Sequence, residues 1–278
     1  MTAPAATTYE FRQRGSLEVL AWPAFDGFGL DALVTTRRGG VSAGAYATLN
    51  MSLHVGDRPA DVLENRRLAA AAIGAGPGDL VYGNQTHGRD VAIVTAGDRG
   101  RGAWRLDEAV GNADALVTAD PGTVLVTMVA DCVPIVLYDP AAHVLACVHA
   151  GWRGTVARVA AAALDAMRTL GTRPEDVVAG VGPAIAPDRY QVGDDVADAA
   201  RACFSSRAET VIRPDGTGRW LFDLWTANRL ILTDAGVAPG RVHTAAIPTG
   251  AEPAPFFSDR AVRPCGRFAA IARLRPRY

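Results

Sequence analysis

The sequence predicts an α/β (α+β) fold built on mixed β-sheet. Three observations carry this. Short β-branched runs alternate along the chain with alanine-rich helical stretches. Some strands follow one another directly, as hairpins do, so parallel and antiparallel pairs are both expected. No Pro-, Gly- or Ser-rich linker divides the 278 residues, so one domain is expected over 15–275, after a loose tail at 1–14.

Taken in order, the tail leads into an edge strand, and a strand is expected over 30–36. Arg37-Arg38-Gly39-Gly40 then makes a turn in which glycine supplies φ > 0. Asp57-Arg58-Pro59 opens a helix, with Asp57 as N-cap and proline in the first turn, closing at Gly74. The GAGPG of 74–78 follows a helix, not a strand, and reads as a plain loop instead of a phosphate cradle. Strands are expected at 80–85, running into Thr86-His87-Gly88, and at 91–95, with a Gly- and Arg-rich surface loop over 97–111. Residues 114–118 are short and extended.

The centre of the chain is VLVTMVADCVPIVLYDPAAHVLACVHAGWRGT, 124–155. It reads as a strand at 124–130, resumed at 135–138 after Pro134, with a return strand at 144–148. Asp139-Pro140 signals the turn between them, and Pro134 marks an edge or bulge. A turn centred between Pro140 and Ala141 puts Cys132 opposite His149, where facing Cβ atoms lie about 4.5–5.5 Å apart. A thiolate and an imidazole so placed could share a metal ion, form a nucleophile pair, or be no more than a buried cysteine beside a hydrogen-bonded histidine.

A helix is expected over 156–170, then a strand at 177–182, a helix at 192–202, a polar loop at 206–218 and a helix at 223–235. Strands at 242–247 and 268–274 complete the chain. Cys147 reads as core, and His54, His143 and His243 as surface or turn histidines.

Composition excludes several classes. A net charge of -1 leaves no basic footprint for nucleic acid, and all 28 basic residues are arginine. Cys132, Cys147, Cys203 and Cys265 form no C-x-x-C pair and are too sparse for a disulfide framework. The opening MTAPAATTYEFRQRG lacks the apolar core of a signal peptide, and Asp131 breaks the longest apolar run short of a membrane span. A soluble, cytoplasmic monomer is expected.

ADCVPIVLYD (130–139), HAGWRGT (149–155) and Gln85-Thr86-His87-Gly88 together resemble the bacterial YfiH/YlmD-type laccase-domain family. TTRRGGVSAGAYATLNMS (35–52), VGDRPADVLENRR (55–67), NADALVT (112–118) and GPAIAPDRYQVG (182–193) extend the resemblance over nearly the whole chain. It implies a layered sandwich of two mixed sheets covered by helices, with zinc held by His87, Cys132 and His149. It also implies purine nucleoside phosphorolysis, with adenosine, inosine, guanosine or methylthioadenosine and phosphate as partners, and adenosine deamination beside it.

Zinc with three protein ligands keeps an open position, the catalytic arrangement. Copper is the alternative metal, since it outcompetes zinc at most such sites. Five histidines are nevertheless too few for a conventional multicopper set. Around the metal the expected site residues are Arg153, as a phosphate clamp at a helix N-terminus, and Arg37, Asn50, Arg66, Gln85 and Asp131 in the pocket. The C-terminal loop departs from the family where Ala261 follows Arg260 in place of a second basic residue. A Cys132–His149 amidase, akin in fold to deamidase toxins, and a zinc-stabilised binding module are the competing functions.

Overall fold

The computed structural model describes residues 8–251 and 254–277. The elements in chain order are β1 (Glu10–Arg14), β2 (Leu17–Ala21), β3 (Leu30–Thr35), α1 (Pro59–Ala71), β4 (Leu80–Asn84), β5 (Val91–Ile93), β6 (Val110–Asn112) and β7 (Ala115–Thr118). There follow β8 (Val124–Val129), β9 (Val133–Asp139), β10 (Val144–Ala150), α2 (Trp152–Val156), α3 (Val159–Thr169), β11 (Val178–Val181) and β12 (Gln191–Val192). Last come α4 (Asp194–Phe204), β13 (Ile212–Pro214), β14 (Trp220–Phe222), α5 (Leu224–Asp234), β15 (Val242–Thr244) and β16 (Phe268–Leu274).

A seven-stranded sheet runs β1-β2-β3-β16-β8-β4-β6 and a six-stranded sheet runs β15-β11-β9-β10-β7-β5. Both are mixed: β4 lies parallel to β8 and to β6, β5 parallel to β7 and β11 parallel to β15, while β16–β8 and β9–β10 are antiparallel. The expected sandwich is present.

Period-2 alternation builds its layers. Leu125 and Val129 of β8 pack between the sheets with Val136 and Tyr138 of β9 and Leu145 and Cys147 of β10. The opposite residues of the six-stranded sheet, Ile135, Leu137, Ala146 and Val148, pack under α3, α4 and α5. Val124 and Val126 face the other way, toward Ala69 and Ala70 of α1. The order of layers is helix, sheet, sheet, helices. A small antiparallel sheet, β12-β14-β13, stands apart from the two large ones.

The central stretch is not one continuous run within a sheet. β8 belongs to the seven-stranded sheet and β9 to the six-stranded one. Ala130, Asp131 and Cys132 carry the chain across the sandwich, with Asp131 in the left-handed region at φ 87°.

Several expectations need correction. The β9–β10 register pairs His149 with Pro134, two residues away from the expected Cys132. The turn takes four residues, Pro140 to His143, with His143 at φ 58° and the Asp139 carboxylate accepting from the Ala141 and Ala142 amides. Because the slip is two residues, every side chain keeps its face, and Cys132 comes abreast of Gly151 just past the strand. Pro134 sits inside a central strand, where β11 pairing stops at Ile135. His143 is a turn residue but a buried one, between the Tyr138 hydroxyl and the Arg275 carbonyl.

Asp57 does not cap α1; Arg58 occupies that position, and the Asp57 carboxylate accepts from Ser42 and Asn50. The helix expected over 156–170 is broken by Arg158 at φ 63°, which leaves α2 only five residues long. The loops at 97–111 and 206–218 contribute β6 and β13. The tail ends early, since Glu10–Arg14 pair with β2 as an edge strand. Residues 1–7 of it lie outside the described residues.

Candidate metal centre

The centre forms where the two sheets part, and each sheet contributes to it. His87 follows the end of β4, Cys132 closes the crossover from β8 to β9, and His149 is the penultimate residue of β10. One donor atom from each lies within 4.8 Å of the other two. The two imidazoles meet edge to face with centroids 4.7 Å apart. A shared ion with bonds of about 2.0–2.3 Å would hold two nitrogens and a thiolate closer than this upper limit, in a tetrahedral arrangement with one position left open.

Asp114 orients the histidines. Its carboxylate accepts from His149 Nδ1 at 2.7 Å and from the amides of Thr86, His87 and Gly88 at 3.2, 3.0 and 2.7 Å. With Nδ1 engaged, His149 presents Nε2 to the centre, the usual outer-shell arrangement of a metal-bound imidazole. The three amides also hold the loop in which His87 adopts φ 61°. Sequence reasoning quoted NADALVT without assigning Asp114 a role. The signal was an acidic residue immediately before a fully buried strand.

The electrostatics follow from these contacts. Burial alone pushes the Cys132 thiol up, but the charges and hydrogen bonds of His149 and His87 reverse this and bring it down to about 6. Burial lowers His149, and the thiolate and Asp114 outweigh it, raising the imidazole to about 9. Asp114 is held down at about 2: burial opposes ionisation, while His149 and the loop amides favour it. Cys147, two residues before His149 on the same face, is fully buried with its thiol pushed up by burial. It is core, as expected.

Two glycines permit the approach. A Cβ on Gly151 would stand 2.9 Å from Cys132 Sγ and 3.1 Å from His87 Cδ2. A Cβ on Gly154 would stand 2.9 Å from the Gly88 carbonyl.

A cleft of about 330 Å³ opens from the three donors. Gln85 lines it and pins β4 to β8 through paired hydrogen bonds with the backbone of Met128. Arg153 also lines it, exposed, with its guanidinium 4.5 Å from the Trp152 ring and no ion pair among the described residues. Asp131 borders the same space.

Arg37, Asn50 and Arg66, expected in the pocket, do not line it. Arg66 is buried under α1, donating to the carbonyls of Met51, Gly102 and Ala103 with its guanidinium stacked on Tyr82. Arg37 donates to the Ala47 carbonyl and stacks on Phe257. Asn50 is buried and accepts from the Arg267 amide.

Other cleft residues were not expected. Tyr190 lies beside Phe222, with Arg260 over its ring. Arg263 and Arg267 flank Asp259 and are paired with it. His54, read as a surface or turn histidine, lines the cleft with Nδ1 2.9 Å from Ser52 Oγ. Burial, then the charge of Arg267, lower its pKa.

The fold is shared with solved relatives, and the sequence matches a known family over most of its length. The profile of the family described as multi-copper polyphenol oxidoreductase laccase matches residues 31–275. The chain belongs to this family. Within it, the chain is 39% identical over 233 residues to the purine nucleoside phosphorylase YlmD of Geobacillus stearothermophilus, covering 84% of this chain and 85% of that one. It is 37% identical over 232 residues to adenosine deaminase RL5 of an unknown prokaryotic organism, covering 84% and 88%. The crystal structure of YfiH from Bacillus licheniformis superposes with a TM-score of 0.91 at 33% identity, over 95% of this chain and 99% of that one.

Proposed function

We propose that this laccase-family chain is a zinc-dependent purine nucleoside phosphorylase, with adenosine deamination as a second activity. The observation that carries the reading is the convergence in one cleft of a His87–Cys132–His149 donor set and Arg153, an arginine without a carboxylate partner among the described residues. Relatives named as phosphorylases support it. The relative named as an adenosine deaminase supports the second activity.

Phosphorolysis breaks the bond between base and ribose and forms one between phosphate and the anomeric carbon. The base leaves with the bonding pair and takes up a proton, giving free base and ribose 1-phosphate. The chain's task is to bind and align the two reactants. A cleft of about 330 Å³ is at the compact end of small-molecule sites. Arg153, with its guanidinium over the Trp152 ring, offers a planar fork to two phosphate oxygens. With α2 only five residues long, the guanidinium carries more of this task than the helix terminus does.

Zinc, when bound, supplies a Lewis acid at the open position. Asp114 fixes the His149 tautomer and the His87 loop, and His87, Cys132 and His149 would hold the ion. Copper would accept the same donors, but zinc suits the single thiolate and two imidazoles without redox chemistry. We further propose that the 15–275 region, together with its edge strand β1, acts as one domain and as a monomer, since both sheets of one chain complete the centre. Four free cysteines suit the reducing cytoplasm. Among the described residues no helix is long and apolar enough to cross a membrane.

The test is to incubate zinc-loaded protein with adenosine or inosine, with and without phosphate. Free base and ribose 1-phosphate are expected only with phosphate. Arg153→Ala should raise the phosphate requirement roughly ten- to a hundredfold, the value of a lost charge-assisted hydrogen bond, with zinc content intact. No base release from the parent would sink the phosphorylase reading. Activity on amide substrates that survives chelation would favour Cys132 as a nucleophile, a role that its lowered thiol pKa also suits.

A further inference from the structure

Asp131 occupies a conformation that its own backbone does not favour. At φ 87° it lies where glycine sits freely and a side chain does not. A glycine would make the crossover turn just as well, so the carboxylate has a task beyond the turn. Both of its oxygens are engaged by the C-terminal part of the chain. Oδ1 accepts from Thr249 Oγ1 at 2.5 Å and Oδ2 from the Arg260 amide at 2.7 Å. The Asp131 carbonyl accepts from the Ile185 amide at 3.0 Å, which fixes the turn itself.

Arg260 is therefore held at two points. Its amide is tied to the residue before Cys132, while its Nη1 donates to the Gln191 carbonyl at 2.9 Å and its guanidinium lies 5.2 Å from the centre of the Tyr190 ring. Unlike Arg263 and Arg267, which are paired with Asp259, its guanidinium forms no ion pair among the described residues. It remains available to an anion in the cleft.

We propose that Asp131 is a positioning residue. It registers the Arg260 segment against the Cys132 side of the metal centre, so that Arg260 acts with Arg153 in gripping phosphate. The identity of the anion rests on the phosphorylase reading; the mechanical link does not. The side chain spans the boundary between the crossover, which supplies a metal donor, and the C-terminal segment, which supplies a cation. It thus sets the distance between the two kinds of group that the reaction brings together.

The informative variant is Asp131→Gly, which keeps the backbone conformation and removes both acceptors. Its phosphate KM should rise about tenfold, as loss of hydrogen bonds to a charged group implies, while kcat falls far less and zinc per chain is retained. Calorimetric titration of inorganic phosphate into zinc-loaded protein, with no nucleoside, should show the same factor. Asp131→Asn tolerates φ > 0 and keeps one acceptor, so it should recover part of the loss. Thr249→Val should give a smaller loss in the same direction.

Phosphate binding as tight in Asp131→Gly as in the parent overturns the proposal. So does a parent that binds no phosphate, or zinc content that falls in step with phosphate affinity, which would make Asp131 merely a support for Cys132. A parent that binds phosphate but releases no base would sink the phosphorylase reading alone. Weakened phosphate binding in the glycine variant would then still support the link.

Discussion

Cys132 and His149 lie side by side as thiolate and imidazolium, and this pairing governs how the centre takes up a metal. With the thiol at about 6 and the imidazole at about 9, the metal-free pair is already half prepared at pH 7. Metal must displace the His149 proton but seldom a thiol proton. Between pH 6 and 9, binding should release one proton from this pair, and affinity should rise about tenfold per unit. Below about 6 the thiol also holds its proton and affinity should fall more steeply; above about 9 it should level off. Competitive zinc titration across pH 5–10 measures this, and a flat profile would show that the pair is not ligating. Asp114→Asn removes the charge that orients His149 and should weaken zinc by roughly 10–100-fold, as losses of outer-shell partners do, with the fold unchanged by circular dichroism.

At the scale of elements, α1 shows how a polar motif can be structural. Its arginine-rich stretch points one guanidinium, Arg66, into a fully buried site whose partners are three carbonyls and the Tyr82 ring. No carboxylate neutralises it among the described residues, and burial lowers its pKa. The residue ties α1 to the loops at 51 and 102–103, so its loss leaves carbonyls without donors as well as a void. Arg66→Ala should therefore destabilise the fold by about 3 kcal/mol or more, read as a lower denaturation midpoint, while the refolded protein keeps its zinc. An unchanged midpoint with lost phosphorolysis would return Arg66 to the site. The break at Arg158 works in the other direction. It shortens the element after His149 to α2, whose five residues give its terminus little hold on an anion.

Across the whole molecule, the centre is a clasp between sheets. His87 extends from the seven-stranded sheet, His149 from the six-stranded one, and Cys132 from the crossover that joins them. An ion held by all three binds only the assembled sandwich and so stabilises it by mass action. At a zinc concentration a thousandfold above Kd, this contributes about 4 kcal/mol. For a chain of this size that is on the order of 10 °C in Tm. Chelation should lower Tm by that amount and re-addition of zinc should restore it; a Tm indifferent to chelation would mean that the centre does not hold metal in the folded state.

What the sequence determined by itself was everything set by local pattern. Short continuous runs of apolar and β-branched residues placed the strands that build the core, because such runs are a property of neighbouring residues. His87, Cys132 and His149 were legible as a set through the resemblance carried by Q-T-H-G, ADC and HAGWRGT; the register argument alone reached Cys132 and His149, by a pairing two residues off. Only the tertiary structure decided the rest. Nothing local announces that β8 and β9 belong to different sheets, that the hairpin turn takes four residues, or that Asp114 serves both histidines from 27 and 35 residues away. Arg66 and Arg153 look alike as letters. One is buried under a helix and the other is exposed in the cleft because packing between distant segments chose their surroundings, and that choice is made by burial and shape, which single residues do not encode.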